Sequence, residues 1–537
     1  MAEPIRKEVA ALDRRLKTLE TQRSNWESHW QELADYMLPR RADITKKRAQ
    51  GDKRTELIYD GTAIHAVELL SASLHGMLTG ASAPWFSLRY RDPILQESDE
   101  ANEWLEATTD QMYMAFNRSN FQQEIHELYY DLVVFGTAAM FVEGDGDGVR
   151  FSCRHIAEIY ISENALGKVD TVYRKFEMTA RAIASRFGED NLPQKIDKSL
   201  KEDPFKEHPV VHAIFPKEGM KTDLFAKLDK AIGSVYYCAE TKMVLGEGGF
   251  DEMPMLIPRF NKDSVSVYGR SPGMTCLSDT KMLNKMSEIT IRSAQKQLDP
   301  PLMVPDDGFL LPVRTTPGSL NFYRTGTRDR LEPLQVGANN ALGLNMEEQR
   351  RQAIREAFFV DQLLMGQGQT MTATEVLQRN EEKMRLLGPV MGRMQNELLQ
   401  PLIDRTFAIL LRQGAFPEPP EELQGLDIDI EYVSPLAKSQ KMAELQSTLR
   451  GIEVLSQFGE MAPVMDYLDS DKMIKYLVDV LGLPARVIRS DEEVMMVRRQ
   501  QQQQAQAQAE AQQQAANAEQ AGQIAPYIKA TGEVPNI

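Results

Sequence analysis

The sequence predicts an α+β fold that is mainly α, and three observations predict it. Apolar residues at Val9, Leu12, Leu16, Leu19, Trp26, Trp30, Leu33 and Met37 fall three, four or seven apart, which is one stripe of a long helix. The runs "PVVHAIF" and "GSVYYCAE", between residues 208 and 258, have the β-branched and aromatic content of strands. In "RSPGMTCLSDTKMLNKMSEITIRSAQKQLDPP", a capping serine and a proline at the first helical position open a long helix that two prolines close.

The elements follow in chain order. The first helix stops near Pro39. The Lys/Arg-rich "PRRADITKKRAQGDKR" that follows reads as a solvated loop, and "GTAIHAVELLSASLHGMLT" as a second helix. "TAAMFVEGDGDGVRFSCRHI" alternates about a Gly/Asp turn and reads as a β-hairpin. A calcium-loop reading of that turn fails on register. Counted from Glu143, Arg154 stands where a bidentate Glu belongs, and counted from Asp145, Arg150 stands where Gly is needed. "MTARAIASRFG" is a short helix with Thr179 as cap and Gly188 as terminator.

Ser271 caps the long helix 272–298, roughly 40 Å at 1.5 Å per residue. A stretch rich in Pro, Gly and β-formers follows, and a second helix is expected from Asn345, with Glu348 at its capping-box position, through "MEEQRRQAIREAFFV". The loop "MGQGQT" precedes a capping box of Thr372 and Glu375. The helix opened there should run to about Arg412, kinked at Gly388-Pro389. Beyond it "DIDIEYV" is a strand, helices start at Ser434-Pro435 and at Asp469 or Asp471, and Ser490 with Glu493 forms another capping box. The Gln/Ala-rich tail, 500–537, favours helix but has no apolar stripe to bury, so extended helix or disorder is expected.

With 537 residues, 42% of them hydrophobic, the chain can bury a sizeable core over several domains. The longest apolar run, "LVVFGTAAMFV", is closed by Asp131 and Glu143 and is too short to cross a bilayer. The opening "MAEPIRKEVAALDRR" has no apolar signal region, so a soluble intracellular chain is expected. Cys153, Cys238 and Cys276 are too far apart for a close-spaced zinc motif, and an odd number argues against a disulfide framework.

No catalytic, metal-binding or cofactor constellation is legible. The Gly-x-x-x-x-Gly-Lys-Ser/Thr loop does not occur, and Gly366 and Gly368 have no lysine to reach a phosphate. Ser82 in "GASAPW" lacks a nucleophile elbow, and His208 and His212 in "HPVVH" read as strand residues two pleats apart. A formal charge of −16 argues against gripping nucleic acid over the whole surface, although a local basic patch remains compatible with it.

One basic constellation stands out. Lys281, Lys285, Arg292 and Lys296 are spaced four, seven and four apart, so they share one face of the helix 272–298. Arg351 and Arg355 do the same on the second helix, and Arg314, Arg324, Arg328 and Arg330 lie between. The plainer reading is that they pair with acids on neighbouring helices, and Glu347 already sits one turn ahead of Arg351. The functional reading is a basic lining that touches a phosphate backbone lightly within an acidic body.

The strings "LADYMLPRRAD", "IYDGTAIHAVELLSASLHGMLT", "EMTARAIASRFG", "IPRF", "VYGRSPGMTCLSDTKMLN", "MTATEVLQRNEEK", "LLQPLIDRTFAIL" and "GLPARVIRSDEEV" together resemble the head-to-tail connector, or portal, proteins of short-tailed bacteriophages. The resemblance covers nearly the whole chain. It implies a homo-oligomer, a twelve-subunit ring at one capsid vertex of the virion, assembled in the host cytoplasm, with a channel for double-stranded DNA in packaging and ejection. It implies a portal fold with wing, helical stem, small β-rich clip and helical crown.

Laid onto this chain, 1–268 is the wing, 269–298 and 339–359 the stem helices, and 299–338 the clip. Residues 360–371 take the place of the tunnel loop, 372–428 a kinked wing helix and its connection, and 429–499 the crown, before the tail 500–537. Gln362, Gly366, Gln367, Gly368 and Gln369 would then present neutral polar groups and a mobile backbone to DNA. The partners implied are a packaging terminase ATPase, tail adaptor proteins, capsid and scaffolding proteins and internal core proteins, with no membrane, no cofactor and no enzymatic activity. The alternatives are a helical scaffold or adaptor without a channel and, further off, a metal-dependent DNA-processing enzyme.

Overall fold

A computed structural model describes residues 7–49, 51–81, 84–90, 98–146, 148–189, 192–217, 230–303, 340–364, 387–421 and 493–512, with short pieces at 319–320, 322, 332–333, 430–432, 445, 447–451, 453, 472–474 and 476–477. The chain is mixed α+β and mainly helical. It divides into two compact units, Met1–Phe86 with Gln111–Phe416, and Ser87–Asp110 with Pro417–Ile537.

In the first unit α1 (Lys7–Met37) lays its predicted stripe on an antiparallel sheet. The sheet runs in chain order through β4 (Ile159–Glu163), β5 (Val169–Thr179), β6 (Glu207–Pro216), β7 (Ile232–Cys238) and β8 (Val244–Phe250). Val9, Leu12, Leu16 and Leu19 pack with Tyr160, Tyr173, Val211, Val235 and Tyr237. Each such leucine contributes about 1.5–3 kcal/mol by leaving water. The opposite face takes α5 (Ala180–Phe187) and α6 (Gln194–Glu202), whose Ala180, Ile183 and Ile196 meet Val210, Cys238 and Leu245. Because strand side chains alternate, Val210 and Val211 serve the two layers separately. Thr179 accepts from the Ala182 amide and Gly188 closes α5 at φ 85°, as the sequence predicts.

The predicted hairpin is β2 (Ala139–Asp145) with β3 (Gly148–Arg154), and β9 (Met255–Leu256) adds to the free edge of β2. α4 (Phe121–Phe135) packs on the hairpin, α2 (Thr62–Leu78) and α7 (Pro272–Leu298) pack on α4, and α8 (Asn340–Ala357) packs on α2 and α7. α4 ends on Gly136 in the left-handed region, φ 75°. There its backbone crosses that of Gly269, so closely that a Cβ on Gly269 would sit 2.2 Å from the Gly136 carbonyl oxygen. Only glycine fits such a crossing.

Three expectations need correction. The basic segment after Pro39 is not simply solvated. Arg41 pairs with buried Asp131 and with Glu127 at 2.9 Å, Arg48 with Asp35 at 3.3 Å and Arg54 with Asp43 at 2.5 Å, while Lys46 and Lys47 stay exposed. The fully buried Asp131 carboxylate requires such a partner. Second, α8 begins at Asn340, so Asn345 lies inside the helix and Glu348 belongs to no capping box.

Third, residues 360–363 are not loop. They form the helical turn α9 (Val360–Leu363), closed by the Leu364 amide on the Val360 carbonyl at 2.9 Å. The kink expected at Gly388-Pro389 involves the turn before it, which lies outside the described residues, while nearer Arg412 the hydrogen-bond ladder changes. Residues 387–394 are α-helical, Gln395–Leu399 form a π-turn, and α10 (Gln400–Arg412) follows. Pro401 has no amide to offer the carbonyl four residues back, and the wider turn precedes it.

In the second unit β1 (Leu88–Tyr90) pairs with β12 (Ile430–Tyr432), the strand predicted from "DIDIEYV". The helix α3 (Asp99–Arg118) contributes residues to both units. In its first part Tyr90 donates to the Ala101 carbonyl at 3.0 Å and Trp104 to that of Pro417 at 3.0 Å. Residues 493–512 are helical, which takes in the first part of the Gln/Ala-rich tail. Thr372, Glu375, Ser434, Asp469, Asp471 and Ser490 lie outside the described residues.

Candidate functional site

The paired helices α7 and α8 carry most of the candidate residues that the structure describes. Ser271 anchors the pair as predicted. Its hydroxyl accepts from the Met274 amide at 3.0 Å and donates to the Val134 carbonyl at 2.7 Å, which ties the cap to α4. A base formed by β10 (Leu302–Met303) and β11 (Glu332–Pro333) closes the excursion between the helices. Arg314, Arg324, Arg328 and Arg330 lie outside the described residues.

Buried polar bonds hold α7, α8 and the start of α2 in register. Asn284 accepts from the amides of Tyr59 and Asp60 at 2.7 and 3.1 Å. Thr290 donates to Glu347 at 2.6 Å, and Arg350 reaches Asp279 at 2.7 Å. Arg351 donates to Asp60 at 3.0 Å and to Glu347 at 3.1 Å. Burial works against the Asp60 charge, but hydrogen bonds from Thr62 and Arg351 outweigh it and hold its pKa below the usual carboxylate value. Arg351 is therefore a structural clamp, the plainer of the two readings.

The other basic candidates differ in how firmly they are held. Lys281 reaches Glu32 of α1 at 3.1 Å, and Arg355 reaches Glu348 at 3.5 Å. Lys285 and Arg292 share one acid, Glu288, at 2.9 and 2.6 Å, and both are about two-thirds exposed. Lys296 is exposed and has no ion-pair partner among the described residues. Exposed pairs of this kind are worth little, about 0–1 kcal/mol. Lys285, Arg292 and Lys296 thus leave two charges uncompensated on one outer stripe, beside exposed Met282 and Ile289.

At the far end of α8 the chain turns sharply. Phe359 sits at φ 58°, ψ 27°, a conformation bulky residues rarely take, and it starts α9. Val360 is buried while Gln362 is exposed. Gly366, Gln367, Gly368 and Gln369 lie outside the described residues.

A second centre escaped the sequence analysis, although its motif did not. Arg259 of "IPRF" is buried and donates to Glu163, to both carboxylate oxygens of Glu397 at 2.7 and 3.1 Å, and to the carbonyls of Val267 and Gly167 at 3.2 Å each. Glu397 also accepts from the Arg259 amide at 3.0 Å and stands in the π-turn. One guanidinium therefore joins β4, the segment before α7 and the helix leading to Arg412. Five donors in a fixed fork suit such a joint. Among the described residues no group of three or more His, Cys, Asp or Glu could hold a metal ion, and no helix is long and apolar enough to cross a membrane.

Residues 9–488 match the family described as bacteriophage head to tail connecting protein. The portal protein of Salmonella phage epsilon15 is 33% identical over 530 residues, spanning 96% of this chain and 94% of that protein. The probable portal protein of Bordetella phage BPP-1 is 32% identical over 499 residues, 90% and 89% of the two chains. The chain belongs to the bacteriophage head to tail connecting protein family.

Proposed function

We propose that this portal-type connector assembles into a closed ring, twelve subunits in the family pattern, at one capsid vertex, and that double-stranded DNA enters and leaves through its centre. Similarity to portal proteins over nearly the whole chain carries the reading. In this assignment α7 and α8 are the stem, 299–338 the clip where a packaging ATPase and then tail proteins dock, and 360–371 the loop at the channel. Residues 1–268 with 372–428 form the wing, and 429–499 the crown. The protein has no chemistry of its own here; the ATPase supplies the work.

Charge explains how such a conduit lets DNA slide. A duplex presents a phosphate roughly every 1.7 Å, and a strongly basic channel would hold it in place. Each subunit carries a net charge of −16. A ring of them repels the duplex, and basic stripes such as Lys285, Arg292 and Lys296 centre it without gripping. Negative-stain microscopy with light-scattering mass tests the proposal. Closed rings with a hole wide enough for duplex are expected. Small compact oligomers at all salt concentrations would refute it and return the chain to a scaffold role.

A further inference from the structure

The sheet face that carries α5 holds a row of side chains with no part in the reading above. Arg174 on β5, His212 on β6 and Tyr236 on β7 are direct register partners, so they stand side by side. His212 stacks on Tyr236 with ring centroids 3.8 Å apart and hydrogen-bonds the Ser234 hydroxyl at 2.8 Å. Burial, then the charges of Arg174, Arg186 and Arg154, push its imidazole well below the ordinary value, so it adds no charge. From α5, Arg186 donates to the Tyr236 hydroxyl at 3.1 Å. From the end of β3, Arg154 lies 6.0 Å from the ring centre of Phe141, which meets His212 edge-on at 5.9 Å. Three guanidinium groups from the sheet, the helix and the hairpin thus surround one aromatic row.

Their partners are unequal. Arg174 has a firm one, Glu158 at 2.7 Å. Arg186 reaches Glu143 only at 4.0 Å. Arg154 is half-buried and has neither hydrogen bond nor ion pair among the described residues. Burial, then the charge of Arg174, pull its pKa below the ordinary value. Two carboxylates face three guanidinium groups, which leaves one positive charge over. A guanidinium cannot shed its proton near neutral pH and has five donors to satisfy. Half-desolvated beside a second cation, with Glu158 and Glu143 acting on it only through their charge, it has donors open to a further acceptor.

We propose that Arg154, with Arg174 and Arg186, forms a binding site for one oxyanion, a carboxylate or phosphate group held by forked guanidinium hydrogen bonds. The surplus of one charge calls for a single such group. It has two sources, a free anion or an Asp or Glu side chain of a second copy of this chain. The second source rests on the ring reading and the first does not.

The test uses the full chain as wild type, Arg154→Ala and Arg154→Lys. Dilute protein is melted in increasing sodium phosphate, with chloride adjusted to hold ionic strength constant. Assembly is followed separately by light scattering against protein concentration. A free-anion site gives a saturable rise in wild-type Tm that Arg154→Ala lacks and Arg154→Lys shows at about tenfold lower affinity. The variants absorb any general salting effect of phosphate. A second-copy site gives no such difference, but Arg154→Ala then needs about tenfold more protein to assemble while melting like wild type when dilute. Should Arg154→Ala fail to fold, Arg154→Lys in both assays decides. Variants indistinguishable from wild type in phosphate and in assembly would overturn the site. Absence of rings together with a preserved phosphate effect would refute the ring reading and leave the site standing.

Discussion

At the residue scale, the joint at Arg259 makes the sharpest demand on the chain. Glu163 and Glu397 are mostly buried around it, and truncating the guanidinium leaves Glu163 only Lys262 at 2.5 Å and Glu397 only Arg393 at 3.2 Å, with the two carbonyls unpaired. Removing one partner of such a network costs about 3–5 kcal/mol. Arg259→Ala should lower the unfolding free energy from denaturant titration by that amount, and Arg259→Lys should recover only part of it, because one ammonium cannot serve both acids and two carbonyls. Equal stability of Arg259→Ala and wild type would show that the network is not holding the elements. Asp60 gives a pH prediction. Its folded pKa lies below the unfolded value near 4, so its contribution is complete above about pH 4 and disappears as pH falls through the lower folded value. Asp60→Asn should therefore be less stable than wild type at neutral pH and show a shallower acid limb. An acid limb that superimposes on the wild type would rule that role out.

At the scale of elements, the turn after α8 tests the loop assignment. Val360 is buried and α9 packs next to α2 and α8, so a deletion that spares this turn should spare the fold. Shortening the chain between Leu364 and Thr370 should leave rings intact while impairing DNA retention or packaging in particles. Loss of ring assembly instead would make the segment a structural joint. Elements were legible wherever a local signal decides them. The stripe of α1, the Ser271-Pro272 start of α7, the Thr179 and Gly188 ends of α5 and the Gly/Asp hairpin each follow from spacing or capping. What failed depends on partners distant in sequence. Nothing near Arg41 announces that Asp131 needs it, and nothing in "LRY" announces a pairing with residues 430–432. α8 already includes its apparent box, and the bonds of Glu347 to Thr290 and of Arg351 to Asp60 come from partners distant in sequence. Of the candidate site, the basic face of α7 was readable from periodicity. Whether each charge was spent on a neighbour was not, since that depends on Glu32 of α1 as well as on Glu288.

At the scale of the whole molecule, an acidic body with a sparse basic stripe should show a definite salt response toward DNA. Each phosphate neutralised adds about 0.9 to the slope of log affinity against log salt. Lys285 and Arg292 share Glu288, whose pKa the Lys285 hydrogen bond and the Arg292 charge hold low, and Lys296 has no ion-pair partner among the described residues, so the stripe keeps a net positive charge. If this stripe faces the duplex, rings should bind it weakly at physiological salt and more firmly as salt is lowered. Replacing all three with Gln should flatten that slope. It should leave Tm within a degree or two, because exposed pairs contribute about 0–1 kcal/mol. Arg351→Gln is the control with the opposite pattern, since its partners Asp60 and Glu347 are buried against it: stability should fall and the slope should stay. Filter binding of duplex across a salt series, with thermal melts on the same preparations, reads both quantities. A slope unchanged in the triple variant would take this face out of the channel, and tight binding at physiological salt would overturn the sliding mechanism itself.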